Sequence, residues 1–319
     1  MPKFFDFCAG IGAGHFAFAA IGGQCVGYSE ITPKSEQTYR LLFGDKLQNY
    51  GDLTKIIPGQ LPDFDILLAG FPCQSFSIVG KRKGLEDDRG KIIYSLAKII
   101  EHKKPKAFLL ENVKGLINLD KGSAFKEILD LLSKQNYRIY YRVLDSLDYG
   151  VLQMRERIYI VGIRDDLAKP EFNFPLPLKD NLNITDFLCD DNEDLILQGS
   201  AYQTFLGYLE NKYNKGRFVL QDLLAKDYLV LDGRQSDLRL YENKVPTIRT
   251  GRQGILYVKN QKLRKLSAIE ALLLQGFDLQ IAKNIADKVS SSNLLSQAGN
   301  AMTINVMQAI GKNILEHIK

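Results

Sequence analysis

The sequence predicts an α/β fold: a mostly parallel sheet covered on both faces, joined to a smaller and less regular region. Three observations carry that expectation. Short apolar runs alternate with helix-spaced segments through the first half of the chain. Composition shifts near Asn173, where prolines and then acidic residues break the pattern. The 319 residues, 45% hydrophobic and 25% charged, have the balance of a globular protein with one large or two modest domains.

The elements follow in order. Strands are expected at Lys3 to Cys8, Gln24 to Ser29, Asp65 to Ala69, Lys106 to Glu111, Ile139 to Leu144 and Arg157 to Arg164, with a further short strand ending at Asp52. Helical spacing marks Pro33 to Phe43, Lys91 to Glu101 and Ser123 to Lys134. The last two strands of the series are separated by Asp148-Tyr149-Gly150, a turn with no room for a crossover helix, so they should pair antiparallel at a sheet edge. Between Asp180 and Asp194 stand six acidic residues and no basic one, read as a linker. From Arg234 to Lys265 the balance reverses to nine Lys and Arg against two acids. Helical spacing resumes at Ser267 to Gln275, opened by a Ser267/Glu270 capping box. The final helix gathers Val306, Ile310, Ile314 and Ile318 on one side. The expected division is residues 1–177 with 296–319 as a large domain, 178–265 as a small one, and 266–295 as connecting helices.

Charge and cysteines narrow the class. A net charge of +5 and 42 Lys and Arg residues suit an acidic partner without demanding one. The four cysteines, Cys8, Cys25, Cys73 and Cys189, form no C-x-x-C pair, and the three histidines do not cluster, so neither a metal site nor a disulfide framework is expected. No run has the length of a membrane span and the N-terminus has no secretory pattern; a cytoplasmic protein is expected.

The chemistry-bearing residues lie after the expected strands, where ligands of open α/β sheets bind. Asp6-Phe-Cys8-Ala-Gly10-Ile11-Gly12-Ala13-Gly14 runs from a strand into a glycine loop, and Glu30 ends the next strand, 20 positions beyond Gly10. On these alone, a nicotinamide dinucleotide and S-adenosylmethionine are both open. Asp52, before Leu53, could accept an adenine amine, or be a helix cap. Gly70-Phe71-Pro72-Cys73-Gln74-Ser75-Phe76-Ser77 places a thiol beyond the third apolar strand, and a thiolate is a nucleophile only where its surroundings favour the charge. Glu111-Asn112-Val113 and Gln153-Met154-Arg155-Glu156-Arg157 would bring a carboxyl group and two guanidinium groups toward the same crevice. Attack of a thiolate on an electron-poor ring needs a donor at the ring nitrogen and positive charge near the developing anion.

These segments, with Gln297-Ala298-Gly299-Asn300-Ala301, occur in the order and approximate spacing of one family. The sequence resembles the cytosine-C5 DNA methyltransferases of bacterial restriction-modification systems over nearly its whole length, apart from Leu178 to about Arg264, where that family varies. The resemblance implies an S-adenosylmethionine-dependent, Rossmann-like sheet with a smaller, irregular target-recognition domain. It implies a monomer acting on double-stranded DNA, with any cognate endonuclease acting separately. Cys73 would attack C6 of a flipped cytosine, Glu111 would serve N3, and Arg157 with Arg155 would hold O2. Glu30 would hold the ribose and Asp52 the adenine amine, with Cys8, Gly10, Ile11, Gly12, Ala13, Ile31, Leu53, Gly70, Pro72, Ile92, Asn300 and Ala301 lining the rest. Gln74, Ser77, Lys81, Arg82 and Lys83 would approach DNA beside the nucleophile, and Arg249, Arg252 and Gln253 would read it. Three positions depart from the family pattern: Cys8 stands in place of an aromatic residue, Ala13 of a glycine and Ile31 of a tryptophan. The cover on the adenine is therefore expected to be looser or aliphatic.

Two rivals remain. A tRNA cytosine-C5 methyltransferase would share the architecture, but its Cys-Phe-Thr signature is missing: Cys189 is followed by Asp190. A nicotinamide-dependent dehydrogenase would use the glycine loop and Glu30 yet leave Cys73-Gln74 and Glu111-Asn112-Val113 without a role.

Overall fold

The computed structural model describes residues 1–72, 91–167, 170–178, 181–251 and 254–319. The chain divides into two compact units: Met1–Asp145 with Glu156–Pro177 and Ala301–Lys319, and Ser146–Arg155 with Leu178–Asn300.

The first unit is the α/β layer structure. Its elements are β1 (Lys3–Phe7), α1 (Ala13–Ala19), β2 (Gln24–Ser29), α2 (Pro33–Phe43), β3 (Ile66–Gly70), α3 (Lys91–Lys103), β4 (Ala107–Val113), α4 (Ser123–Ser133), β5 (Tyr137–Asp145), β7 (Glu156–Arg164) and α10 (Ile304–His317), numbered along the whole chain. Six strands form one sheet in the order β2-β1-β3-β4-β7-β5. The first four are parallel; β7 runs antiparallel between β4 and β5. The expected antiparallel pair is thus found, with β5 at the edge. The central strands carry continuous apolar runs because both faces are covered: Ile66, Leu67, Leu68 and Ala69 of β3 are buried, as are Phe108, Leu109 and Leu110 of β4. On α10 the residues Val306, Ile310 and Ile314 are all buried, as is Ile318 just past its end, as their spacing predicts, and Gly311 lies against Phe18 and Ile21.

The strand expected to end at Asp52 does not form. A single bridge, Tyr28 to Asn49, stands in its place. Gly51 then turns the chain at φ +65°, and Asp52 caps a short 3-10 turn, Leu53–Lys55, by accepting from the Thr54 N–H.

The second unit holds the short strand β6 (Gln153–Met154), α5 (Gly199–Leu209), α6 (Leu220–Leu224), β8 (Val230–Asp232), β9 (Arg239–Tyr241), β10 (Val245–Pro246), β11 (Ile255–Lys259), β12 (Lys262–Lys265), α7 (Ala268–Leu273), α8 (Leu279–Ala286) and α9 (Ser291–Asn300). An antiparallel sheet, β12-β11-β8-β9, packs Leu229, Leu231, Val258 and Leu263 with Phe205 and Leu209 of α5. The capping box forms as expected: Ser267 Oγ accepts from the Glu270 N–H and Glu270 Oε2 from the Ser267 N–H. Among the described residues no helix is long and apolar enough to cross a membrane.

Candidate active site

Parallel pairing fixes which residues share one end of the sheet. Phe7 aligns with Ser29 and with Ala69, and Gly70 with Glu111. The segments that follow β1, β2 and β3, and the end of β4, therefore emerge along a single edge, the carboxyl edge of the parallel strands. They bring Cys8 to Gly12, Glu30, Pro72 and Glu111 to it.

Glu30 is held by the loop it faces. Its Oε2 accepts from the Gly10 N–H at 2.8 Å and its Oε1 from the Thr32 N–H at 2.7 Å. Each oxygen keeps a lone pair for a further donor. Asn49 locks the Glu30 backbone from both sides, its Oδ1 accepting from the Glu30 N–H and its Nδ2 donating to the Glu30 carbonyl. Gly10 (φ +57°) and Gly12 (φ +82°) are left-handed, a conformation costly for residues bearing a Cβ. A Cβ on Gly10 would meet nothing within 4 Å, whereas one on Gly12 would strike Phe43 at 2.3 Å. The loop is open at Gly10 and packed shut at Gly12. Ile31 is 69% exposed while Ile11, Ala13 and Leu53 are buried.

This end of the sheet is acidic. Burial pushes the Cys8 thiol up to about 12, with the charges of Glu30, Asp6 and Asp52 adding to the effect. Asp6 is fully buried, and desolvation raises its carboxyl well above the usual range despite the hydrogen bond from the His15 N–H; Glu30 raises it further. Glu30 and Asp52 present acceptor oxygens at this edge, where a ligand's hydroxyl or amine groups could donate. Two carboxylates with free lone pairs, an open glycine backbone and an exposed aliphatic side chain fit S-adenosylmethionine.

On the neighbouring strands, Glu111 and Arg157 form a buried ion pair. Arg157 Nε lies 3.1 Å from Glu111 Oε1, with the two side chains 13% and 10% exposed. Antiparallel pairing sets Val113 opposite Arg157 and Tyr159 opposite Glu111, so the pair is a diagonal contact on one face of the ladder. Asn112, between Glu111 and Val113 in the same motif, has a contact that its sequence position does not announce. Its Nδ2 donates to the Phe71 carbonyl at 2.9 Å and ties down the chain just before Pro72. Gly70 gives β3 a close approach: a Cβ there would lie 3.1 Å from Met302 and 3.7 Å from Glu111 Oε2.

The chain's match to a family model, the C-5 cytosine-specific DNA methylase, runs over residues 2–316. The chain belongs to that family. It is a DNA cytosine methyltransferase, similar to the Type II methyltransferase M.BsuFI of Bacillus subtilis (46% identical, covering 99% of this chain and 73% of that protein). It is also similar to M.HhaI of Haemophilus parahaemolyticus (34% identical, covering 98% and 94%). Among solved structures, the Dnmt2 methyltransferase of S. pombe shares the fold at a TM-score of 0.72 with 17% identity, over 99% of both chains.

Within this methylase, the expected site residues fall into three groups. Cys8, Gly10, Ile11, Gly12, Ala13, Glu30, Ile31, Asp52, Leu53, Gly70, Pro72, Ile92, Glu111, Arg157 and Ala301 belong to the first unit, where Ile92 opens α3 half-buried against the core. Arg155, Asn300 and the exposed Arg249 belong to the second. Arg155, expected beside Arg157, is 3% exposed and donates to the carbonyls of Ile248 and Gly299. Asn300 Oδ1 lies 2.6 Å from the Thr250 hydroxyl. Cys73, Gln74, Ser77, Lys81, Arg82, Lys83, Arg252 and Gln253 lie outside the described residues.

Proposed function

We propose that this methyltransferase acts in the cytoplasm on a cytosine turned out of a short duplex DNA target, with the Cys73 sulfur as a transient nucleophile. The observation that carries the reading is the Glu111–Arg157 pair, with Glu111 on the strand beside the one that leads into Pro72 and Arg157 on the strand beyond. A pyrimidine within a duplex hides its faces by stacking, so it must leave the helix, at a cost of a few kcal/mol.

Cys73 as thiolate forms a bond to C6, and the displaced electron pair moves to C5. Glu111 holds a proton at N3, and Arg157 places positive charge at O2, so the ring can carry that density. S-adenosylmethionine, when bound, supplies an electrophilic methyl group for C5. Loss of the C5 proton to water or hydroxide then breaks the sulfur–C6 bond, restores the aromatic ring and releases Cys73 as thiolate. Asn112 acts on this sequence through Phe71, by fixing where the nucleophile segment leaves β3.

Glu30 would take the ribose hydroxyls and Asp52 the adenine amine, with Gly10, Ile31 and Leu53 lining the pocket. Lys81, Arg82 and Lys83 would meet phosphates, and Arg249, Arg252 and Gln253 bases or backbone. Monomeric action beside a separately encoded endonuclease is the biological setting the resemblance supports. Incubation with tritiated S-adenosylmethionine and either duplex DNA or tRNA tests the substrate. Label in DNA alone is expected; label confined to tRNA would overturn the reading.

A further inference from the structure

The segment Thr247–Thr250 carries Arg249, and side chains distant in sequence but within the same unit hold its backbone. Gln153 Oε1 accepts from the Ile248 N–H at 3.0 Å, while its Nε2 donates to the Leu274 carbonyl at 2.7 Å. Arg155 Nη1 donates to the Ile248 carbonyl and Nη2 to the Gly299 carbonyl, both at 3.2 Å. Both backbone groups of Ile248 are therefore held by two residues of one short motif. The Thr250 hydroxyl lies 2.8 Å from the Ser296 carbonyl and 2.6 Å from Asn300 Oδ1. Arg234, itself gripped by Asp232 at 2.6 and 2.8 Å, donates to the Thr247 carbonyl at 2.7 Å. Gly299 makes the approach possible: a Cβ there would sit 2.4 Å from the Thr250 nitrogen. The result is a segment with fixed backbone and an exposed Arg249 side chain.

We propose that Gln153 and Arg155 are positioning residues for target recognition: with Thr250 and Asn300 they hold Thr247–Thr250 so that Arg249 meets the DNA duplex in one register. This rests on the DNA-methylating reading above. Arg155 is enclosed by backbone carbonyls of its own unit, whereas Arg157, two residues on, pairs with Glu111 in the other. The motif thus divides its work. A guanidinium reads a base edge through two parallel hydrogen bonds, and a backbone shift of about 1 Å takes such bonds out of range.

The test uses the full-length protein, S-adenosylmethionine and a library of random-sequence duplexes, with methylated cytosines read by sequencing. Wild type is expected to methylate one short context. Thr250→Val, a near-isosteric change at an exposed position, and Arg155→Lys should raise the ratio of off-context to in-context methylation at least about tenfold, the scale of one poorly read base pair. For in-context DNA the loss should fall on KM, with kcat held within about threefold, and Arg155→Lys should retain more discrimination than Arg155→Met. An unchanged context with the loss confined to kcat would make Arg155 catalytic and overturn the proposal. Equal slowing in every context, in step with lost stability, would overturn it as well. If Arg155→Lys does not fold, Thr250→Val decides alone. A wild type that methylates no duplex defeats the substrate reading first; a specific wild type with equally specific variants defeats only this inference.

Discussion

Gly10 and Gly12 stand two residues apart in the same loop, and alanine at each should fail in a different way. At Gly12 the added methyl group has two costs. The φ of +82° penalises any Cβ by about 1–2 kcal/mol. The group would also lie 2.3 Å from the Phe43 ring and 2.9 Å from Tyr39. Phe43 would have to retreat about 1 Å to reach ordinary contact, yet it is stacked on His15 with ring centroids 3.8 Å apart. Overpacking of this kind costs about 1–3 kcal/mol, so Gly12→Ala should lose roughly 2–5 kcal/mol in all. At Gly10 the φ is +57° and nothing lies within 4 Å, so Gly10→Ala should cost only about 1–2 kcal/mol of stability. The same methyl group, however, would occupy the space in which the cofactor is proposed to approach the backbone. Urea denaturation of the ligand-free protein measures the first effect, and calorimetric titration with S-adenosylmethionine the second. Gly10→Ala is expected to weaken cofactor binding at least about tenfold, or roughly 1.4 kcal/mol. Wild-type affinity in Gly10→Ala, or wild-type stability in Gly12→Ala, would refute the assignment of an open and a closed side to this loop.

Three further outcomes follow from the buried polar contacts. Arg157→Met leaves Glu111 buried without its guanidinium and should cost on the order of 3 kcal/mol in urea denaturation; adding Glu111→Gln should recover most of that stability, while neither protein methylates DNA. Asn112→Ala should lose about 1–2 kcal/mol and slow single-turnover methyl transfer, because the chain before Pro72 loses its tether; an unchanged rate would remove Asn112 from the mechanism. Burial raises the Glu270 carboxyl from 4.5 to about 7, against the lowering effect of its hydrogen bonds from Ser267, Tyr257 and Asp190. The folded protein therefore binds that proton more tightly than the unfolded chain. Its stabilisation is complete below about pH 4.5 and is lost as pH rises through about 7. Glu270→Gln should flatten the fall in unfolding free energy across that window, and an unaltered slope would contradict the assignment.

Much of the sheet was legible because its strands are apolar on both faces and bounded by turns: β1 to β4 are found within about two residues of their expected positions. The placing of Glu30 and Glu111 at one edge followed from parallel pairing, which forces strand ends into line. The strand expected to end at Asp52 is absent, while the cap that Asp52 also offered is present. The stretch before Asp52 meets β2 at one bridge, where the Tyr28 N–H donates to the Gln48 carbonyl and the Tyr50 N–H to the Tyr28 carbonyl, and the Asn49 side chain extends the attachment to the Glu30 backbone. Asn112 and Gln153 stand within motifs the sequence shows, but their contacts are to backbone groups 41 and 95 residues away, which no local pattern encodes. Arg155 and Arg157 look equivalent by strand alternation. The ladder with β5 begins at Glu156, so Arg155 lies between β6 and β7 and its side chain turns to the Ile248 and Gly299 carbonyls.

Methyl transfer is proposed to pass through a covalent bond between one sulfur and one ring carbon. A duplex carrying 5-fluorocytosine at the target position, incubated with S-adenosylmethionine and the full-length protein, should yield an adduct that survives denaturation and maps by peptide mass spectrometry to Cys73. Fluorine cannot leave as the C5 proton does, so the sulfur–C6 bond would persist. Verified binding of both DNA and cofactor with no adduct, or an adduct at Cys8, Cys25 or Cys189, would contradict the account.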